Sequence, residues 1–216
     1  MHITINNPKF AIYDDVLEPD QFSTVWKWAQ QQQYFAINSQ SWLHVWRLTD
    51  GSPMGGHEHY HTKAPFDNDA LNMVHARSLD VANASPEIVG DWNEIIYRCY
   101  IYPRGSRIDW HNDQGYTAAL IYYIHPIWSA SWGGELMIAE IPKNFDFSGY
   151  SGQLDTSWKD RFLNIWSAGN YVSPKPNRMI LTPAGVWHSI NRIDDNAGDN
   201  CRCSIVCFFK KIESTQ

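Results

Sequence analysis

The chain has 216 residues, of which 44% are hydrophobic and 19% charged, numbers that suit one globular domain and argue against extended disorder, a coiled coil or a collagen-like repeat. Seventeen basic residues against 23 acidic ones leave a net charge of −6, and no basic run exceeds Lys210-Lys211, so the footprint of a nucleic-acid partner is missing. The longest apolar run, Ala118 to Ile124, falls far short of the roughly 18–20 residues of a bilayer span, and Met1 to Phe10 has no signal-peptide core, so a soluble cytoplasmic protein with no membrane partner is expected.

In chain order, Phe10 to Leu17 reads as a short strand, and Glu18-Pro19-Asp20 opens an amphipathic helix to about Gln33, with Pro19 in the first turn where it is tolerated. Ser41 to Leu48 partly alternates apolar and polar residues. Asp50 to Gly56 reads as a glycine-rich, mobile loop that runs into His57-Glu58-His59-Tyr60-His61. Asp67 to Val81 carries Ala70, Leu71, Val74 and Leu79 at helical spacing, and Asn83 to Pro86 ends that helix. From Trp92 onward the pattern changes to β-branched and aromatic runs broken by turns: Glu94 to Tyr102, Tyr116 to Ile124, Gly134 to Ile141, Arg178 to Thr182 and Cys201 to Phe209. Helices first and strands later indicate α+β, with helices covering one face of a largely antiparallel sheet. Pro142 to Ser173 resists assignment apart from a short helix at Trp158 to Trp166.

The cysteines, Cys99 alone and Cys201, Cys203 and Cys207 close together, form neither a disulfide framework nor a CxxC pair, and free thiols are expected. Eleven Trp, 11 Tyr and 9 Phe suggest a cavity walled by rigid rings as much as a core.

Two patterns could carry metal chemistry. His57-Glu58-His59-Tyr60-His61 satisfies HExxH, which on a helix sets two imidazoles one turn apart beside a general-base glutamate, the arrangement of a zinc peptidase. Gly55-Gly56 before it and Pro65 after it oppose that helix, and the competing readings are a solvated polar loop or a substrate-contacting flap. The second pattern is His111-Asn112-Asp113 with His188 77 positions later. Residues i and i+2 of an extended segment point the same way, so His111 and Asp113 can offer two ligands and His188, from another strand, a third. Two imidazoles and one carboxylate on one side of an octahedron leave the opposite positions open, which suits Fe(II). Tyr102-Pro103-Arg104-Gly105 precedes this set, and Ile121-Tyr122-Tyr123-Ile124, Trp132-Gly133-Gly134-Glu135-Leu136, Trp187-His188-Ser189-Ile190 and Arg202-Cys203-Ser204-Ile205 follow.

With those neighbours in that order, Glu94 to Phe209 resembles the Fe(II)- and 2-oxoglutarate-dependent dioxygenases, most closely their prolyl 4-hydroxylase-like branch. The resemblance implies a double-stranded β-helix, a squashed antiparallel barrel of the jelly-roll or cupin type. It divides one domain, residues 1–216, into N-terminal helical support and flap over 1–91 and a catalytic barrel over 92–216. It implies His111, Asp113 and His188 as iron ligands, and Arg202, 14 residues beyond His188 across an enlarged turn at Asp194 to Asn200, as the anchor of the distal 2-oxoglutarate carboxylate. Tyr123 resembles the family tyrosine that adds its phenol to that carboxylate, and Tyr102 one that lines the cosubstrate pocket. The cofactor set is then Fe(II), 2-oxoglutarate and O2, with room for ascorbate.

The alternation of the last strand supports the Arg202 assignment independently. Arg202, Ser204, Val206 and Phe208 share one face, and Cys201, Cys203, Ile205, Cys207 and Phe209 the other. A planar guanidinium matches a carboxylate bidentately, and Ser204 can donate to the same oxygen, while the cysteines would pack against the helices. Gly133-Gly134 reads as a bulge or tight corner, His44, His75 and His125 as hydrogen-bonded structural histidines, and Arg98, Arg104, Arg107 and Arg192 as solvated charges that could otherwise meet a substrate carboxylate. The expected reaction is hydroxylation of a C–H bond of an amino acid, free, peptidyl or carrier-bound, with succinate and CO2 as co-products; Asp113 argues against the halogenating relatives, which lack that carboxylate. The partner is a small molecule or a peptide, entering between the loops Gly51 to Ala64 and Pro142 to Ser173. The rivals are a zinc peptidase on His57, Glu58 and His61 and a noncatalytic barrel that only binds.

Overall fold

The computed structural model describes residues 1–37, 53–141 and 168–213. Two antiparallel strands, β1 (His2–Asn7) and β2 (Phe10–Asp14), begin the chain. Their turn is held by the Asn7 side chain, whose Oδ1 accepts from the backbone N–H groups of Lys9 and Phe10, an asparagine turn made locally. Helix α1 (Pro19–Gln30) starts with proline at its first turn, where no N–H is needed. β3 (Phe35–Ala36) and β4 (Met54–Tyr60) follow. Helix α2 (Asp69–Ala84) is capped by Asn68, whose side chain accepts from the N–H of Leu71 at 3.1 Å, and α3 (Pro86–Val89) is a single turn after it.

The remaining strands are β5 (Glu94–Tyr102), β6 (Ile108–His111), β7 (Ala118–Tyr123), β8 (Leu136–Ala139), β9 (Gly169–Val172), β10 (Met179–Pro183), β11 (His188–Ile190) and β12 (Arg202–Lys210). They form a major sheet in the order β1-β2-β10-β7-β12-β5-β4-β3 and a minor sheet in the order β6-β11-β8-β9. All the strand pairings within both sheets are antiparallel.

Alternation sorts the major sheet into two faces. Tyr97, Cys99, Leu120, Tyr122, Ile205 and Cys207 pack with Val25 and Trp28 of α1 and Leu71, Val74 and Val81 of α2 in one cluster. Tyr100, Tyr102, Ile121 and Tyr123 point the other way, into a second cluster with Leu136, Ile138 and Ile190 of the minor sheet. The fold is therefore the α+β double-stranded β-helix with supporting helices that the resemblance implies. β7 is buried at all six positions because both its faces are covered, which is why it reads as the longest apolar run of the sequence.

The segment at His57–His61 corrects the loop reading. Gly55-Gly56 suggests mobility, yet Met54–Tyr60 is a strand that adds to β5, pairing Glu58 with Arg98, His59 with Tyr97 and Tyr60 with Ile96, with a bulge between Gly55 and Glu58. Backbone pairing with a long neighbour outweighs the weak β propensity of Gly, His and Glu. The other strands not foreseen are β1, whose side chains are exposed on both faces and so show no period, the two-residue β3, and β9, inside Pro142 to Ser173. Ser41 to Leu48, His44 and the helix expected at Trp158 to Trp166 lie outside the described residues, as does most of the second entrance loop.

Candidate active site

β6 and β11 are adjacent, and His188 sits directly across from His111 in their register. That pairing alone brings the imidazoles together, their ring centroids 4.3 Å apart. Asp113 lies two residues past His111, just beyond the end of β6, with Oδ2 3.6 Å from Nε2 of His188. One ligand atom from each of the three residues lies within 4.8 Å of the others. The same orienting device holds both rings: His111 Nδ1 is 2.7 Å from the carbonyl of Asp109 and His188 Nδ1 2.9 Å from that of Val186, each two residues upstream. An Nδ1–H given to a carbonyl fixes the tautomer and leaves the Nε2 lone pair for a metal. Burial, with the neighbouring His188, pushes His111 down to about 4, so its ring is neutral at physiological pH, the state a metal requires.

Across the barrel, Arg202 is fully buried. Its Nε donates to the carbonyl of Gly134 at 2.9 Å and its Nη2 to the phenol oxygen of Tyr123 at 3.1 Å. The guanidinium lies over the rings of Tyr102 and Tyr123, at 5.0 and 4.8 Å. Arg202 is the cross-strand neighbour of Tyr102, and Ser204 that of Tyr123, so register gathers all four. Among the described residues, two buried polar atoms of this group, Arg202 Nη1 and Ser204 Oγ, have no hydrogen-bond partner. Native interiors rarely leave such atoms unpaired, and a cation, a hydroxyl and a phenol on one inner wall describe a receptor for a carboxylate. The expected face of β12 is seen as drawn: Val206 and Phe208 pack on the barrel side and Cys203, Cys207 and Phe209 on the helix side, with Cys207 Sγ 3.6 Å from Ser78 Oγ of α2.

Gly133 and Gly134, read from the sequence as a structural corner, do more than turn the chain. Both have positive φ, 71° and 75°. A Cβ on Gly133 would lie 2.1 Å from the carbonyl oxygen of Arg192, and one on Gly134 2.6 Å from Ile193 Cδ1 and 3.1 Å from Arg202 Cδ. The pair lets backbone approach closely enough for the Gly134 carbonyl to hold Arg202. A doubled glycine just before a strand was the one available signal. His125 is the structural histidine expected, with Nε2 2.7 Å from the Pro174 carbonyl and Nδ1 3.2 Å from the N–H of Cys203. His75 meets the Tyr97 phenol at 2.6 Å.

The peptidase pattern is not assembled. His57 is on β4 and His61 opens the 3-10 turn after it, so the two are not one turn apart on a helix. His57 packs on Phe35, His59 on Trp28, and His61 Nδ1 accepts the N–H of Ile95 at 3.0 Å. Among the described residues, the cluster with metal-ligating geometry is His111, Asp113 and His188. Arg98, read as a solvated charge, is on the inner face of β5 beside Tyr100.

Comparison with known proteins agrees with this geometry. The family model described as the 2OG-Fe(II) oxygenase superfamily matches residues 97–210. No curated protein matches the chain. Among solved structures, the chain is similar to a Pseudomonas putida prolyl-4-hydroxylase, with TM-score 0.62 and 13% identity over 95% of this chain and 94% of that one. It is also similar to a Trichoplax adhaerens prolyl hydroxylase in complex with a hypoxia inducible factor oxygen degradation domain peptide fragment, with TM-score 0.61 and 13% identity over 95% and 85%. A third likeness is to SnoN, a non-heme alpha ketoglutarate dependent epimerase from nogalamycin biosynthesis, with TM-score 0.62 and 11% identity over 94% and 78%. At these identities the likeness is one of fold.

Proposed function

The chain belongs to the 2OG-Fe(II) oxygenase superfamily, whose enzymes work with Fe(II), 2-oxoglutarate and O2, and on that premise we propose that it hydroxylates an unactivated C–H bond of an amino acid. In this reading the whole chain is one oxygenase domain, His111, Asp113 and His188 hold the iron, and Arg202, Ser204, Tyr123 and Tyr102 hold 2-oxoglutarate. The observation that carries it is the pair of buried polar atoms, Arg202 Nη1 and Ser204 Oγ, on the inner wall of the barrel that have no partner among the described residues. A buried cation with an open donor is costly unless an anion completes it, and the distal carboxylate of a keto acid has the charge and the two oxygens to do so.

When bound, Fe(II) supplies the O2 activation that couples conversion of 2-oxoglutarate to succinate and CO2 with insertion of one oxygen atom into a substrate C–H bond. Everything else falls to side chains. Two imidazoles and one carboxylate offer three ligands from one side and keep the other side open. Arg202 and Ser204 donate to the distal carboxylate. The Tyr123 phenol accepts from Arg202 and so turns its own hydrogen toward the same oxygens. Tyr102 covers the guanidinium with its ring face, shutting out water that would weaken the ion pair.

The test is to mix the protein anaerobically with Fe(II) and 2-oxoglutarate, record the visible charge-transfer band, admit O2 and measure succinate. A band lost in His188→Ala, with succinate released only by the unmodified protein, is the expected result. A protein that gives neither band nor succinate refutes the assignment.

A further inference from the structure

The inner face of the major sheet is a set of rows. The row holding Ser204 and Tyr123 also contains Tyr100 and Gly55, and the next row outward contains Glu58, Arg98, Val206 and Ile121. One row is two residues, about 7 Å along the strands, so Arg98 stands one row beyond the residues assigned to 2-oxoglutarate. The phenols of Tyr100 and Tyr116 lie within electrostatic reach of both Asp113 and Arg98, and Tyr116 follows the proposed ligand Asp113 by three residues. Tyr116 stacks on Phe208 at 4.4 Å, making an aromatic wall below it.

Arg98 is held in place from behind. Its Nε donates to the carbonyl of Gly56 at 3.0 Å, its guanidinium covers the Tyr100 ring at 5.4 Å, and Nη1 is 3.5 Å from Glu58 Oε1. A Cβ on Gly55 would lie 2.8 Å from Nη2 and 2.9 Å from Nε, so the glycine is there to let the guanidinium lie flat on β4. The bulge between Gly55 and Glu58 turns the Gly56 carbonyl toward it, a common use of bulges beside active sites. Glu58 is fixed in turn by the Tyr60 hydroxyl, which donates to Oε2 at 2.7 Å. The pair is partly exposed, and among the described residues Arg98 Nη2 has no hydrogen-bond or ion-pair partner. An ion pair of this length and exposure is weak and easily exchanged for a ligand.

We infer that Arg98 and Glu58 are the specificity-determining pair for a free α-amino acid, Arg98 receiving its carboxylate and Glu58 its ammonium, with the side chain directed inward along Tyr100 toward the metal. A free amino acid carries opposite charges on one carbon, matching opposite charges held side by side. A residue inside a peptide carries neither. The inference rests on the oxygenase reading above and narrows it from amino acids in any form to free ones.

The test is calorimetric binding of the twenty proteinogenic L-amino acids, their N-acetyl and C-amide derivatives, and tripeptides centred on each, to anaerobic protein loaded with Fe(II) and 2-oxoglutarate. At least one free amino acid should bind, and either cap should weaken it about tenfold or more, since hydrogen bonds to charged groups are at stake. Arg98→Met should weaken the free acid by about 10- to 100-fold, and Glu58→Gln should weaken the free acid while leaving its N-acetyl form unchanged. Binding of a tripeptide as tight as that of the free acid, an unchanged affinity in Arg98→Met, or no binding by any free amino acid would overturn the inference. Succinate release separates the two readings: binding in the expected pattern without succinate under O2 retires the oxygenase reading and keeps the pair, whereas succinate formed on a tripeptide alone does the reverse.

Discussion

Arg202→Met should make the protein more stable and unable to respond to 2-oxoglutarate. The guanidinium is fully buried, and among the described residues it has no carboxylate partner. It has two hydrogen bonds to neutral acceptors and two ring faces. Desolvating the charge costs several kcal/mol, against about 1 kcal/mol for each hydrogen bond and about 1–2 kcal/mol for each desolvated ring contact. Methionine fills a similar volume without a charge, and replacing buried ions by apolar residues commonly gains about 1–4 kcal/mol. A gain of about 2 kcal/mol, after the unpaired Gly134 carbonyl is counted, raises Tm by about 4–8 °C in a chain of this size. In the unmodified protein, 2-oxoglutarate at about 100 times its Kd should add about 2.7 kcal/mol, or about 5–10 °C, and in Arg202→Met that shift should vanish. Thermal unfolding with and without 2-oxoglutarate, at fixed divalent metal, reads both signs at once. A variant that melts below the unmodified protein and still shifts with 2-oxoglutarate would show that Arg202 is a structural cation and not an anion receptor.

Three further outcomes are expected. Gly134→Ala, strained at φ 75° and crowding Arg202 Cδ, should raise the KM for 2-oxoglutarate at least about tenfold, by displacing the guanidinium that Gly134 holds; an unchanged KM would detach the glycine from the site. Asp14 is buried, which alone would raise its pKa, but hydrogen bonds from Arg178 and Thr4 and the charges of Arg178 and Lys175 bring it down to about 2. Its folded pKa is below the ordinary value of 3.8, so its stabilisation, roughly 2 kcal/mol, is complete above pH 4 and lost as pH falls toward 2; the gap in denaturant midpoint between the unmodified protein and Asp14→Asn should narrow over that window, and a gap that persists at pH 2 would contradict this. Burial pushes the thiols of Cys99, Cys203 and Cys207 up to about 12, so at pH 8 a thiol reagent should label at most Cys201 until the protein unfolds, and fast labelling of two or more would refute the packing of β12.

What the sequence disclosed was what repeats with a short period or carries a distinctive residue. β5 and β12 are legible because nine residues each alternate between two buried environments of different character. His111, Asp113 and His188 are legible because an HxD on an extended segment limits where its side chains can point. β4 was hidden because its stability lies in hydrogen bonds to β5, a non-local term that composition does not record. The same blindness turned Gly55 and Gly56 into a loop, when the missing side chain of Gly55 leaves room for Arg98. Gly134 was visible only as a glycine, because its contribution is a carbonyl, and every residue has one.

Strand β12 explains why fold and site cannot be separated in this chain. Its odd residues Cys203, Ile205, Cys207 and Phe209 lock onto the helices, and its even residues Arg202 and Ser204 face the metal side of the barrel. A slip of one residue would put a guanidinium against α2 and thiols in the anion pocket, so the apolar contacts with the helices are what specify the register. The cation of β12, which has no carboxylate partner among the described residues, is held there by nine cross-strand pairs with β5 and six with β7. The stability of the helix-covered face thus sustains an inner face with a buried cation on it, and under the proposed assignment binding of the 2-oxoglutarate carboxylate there adds to the stability of the whole fold.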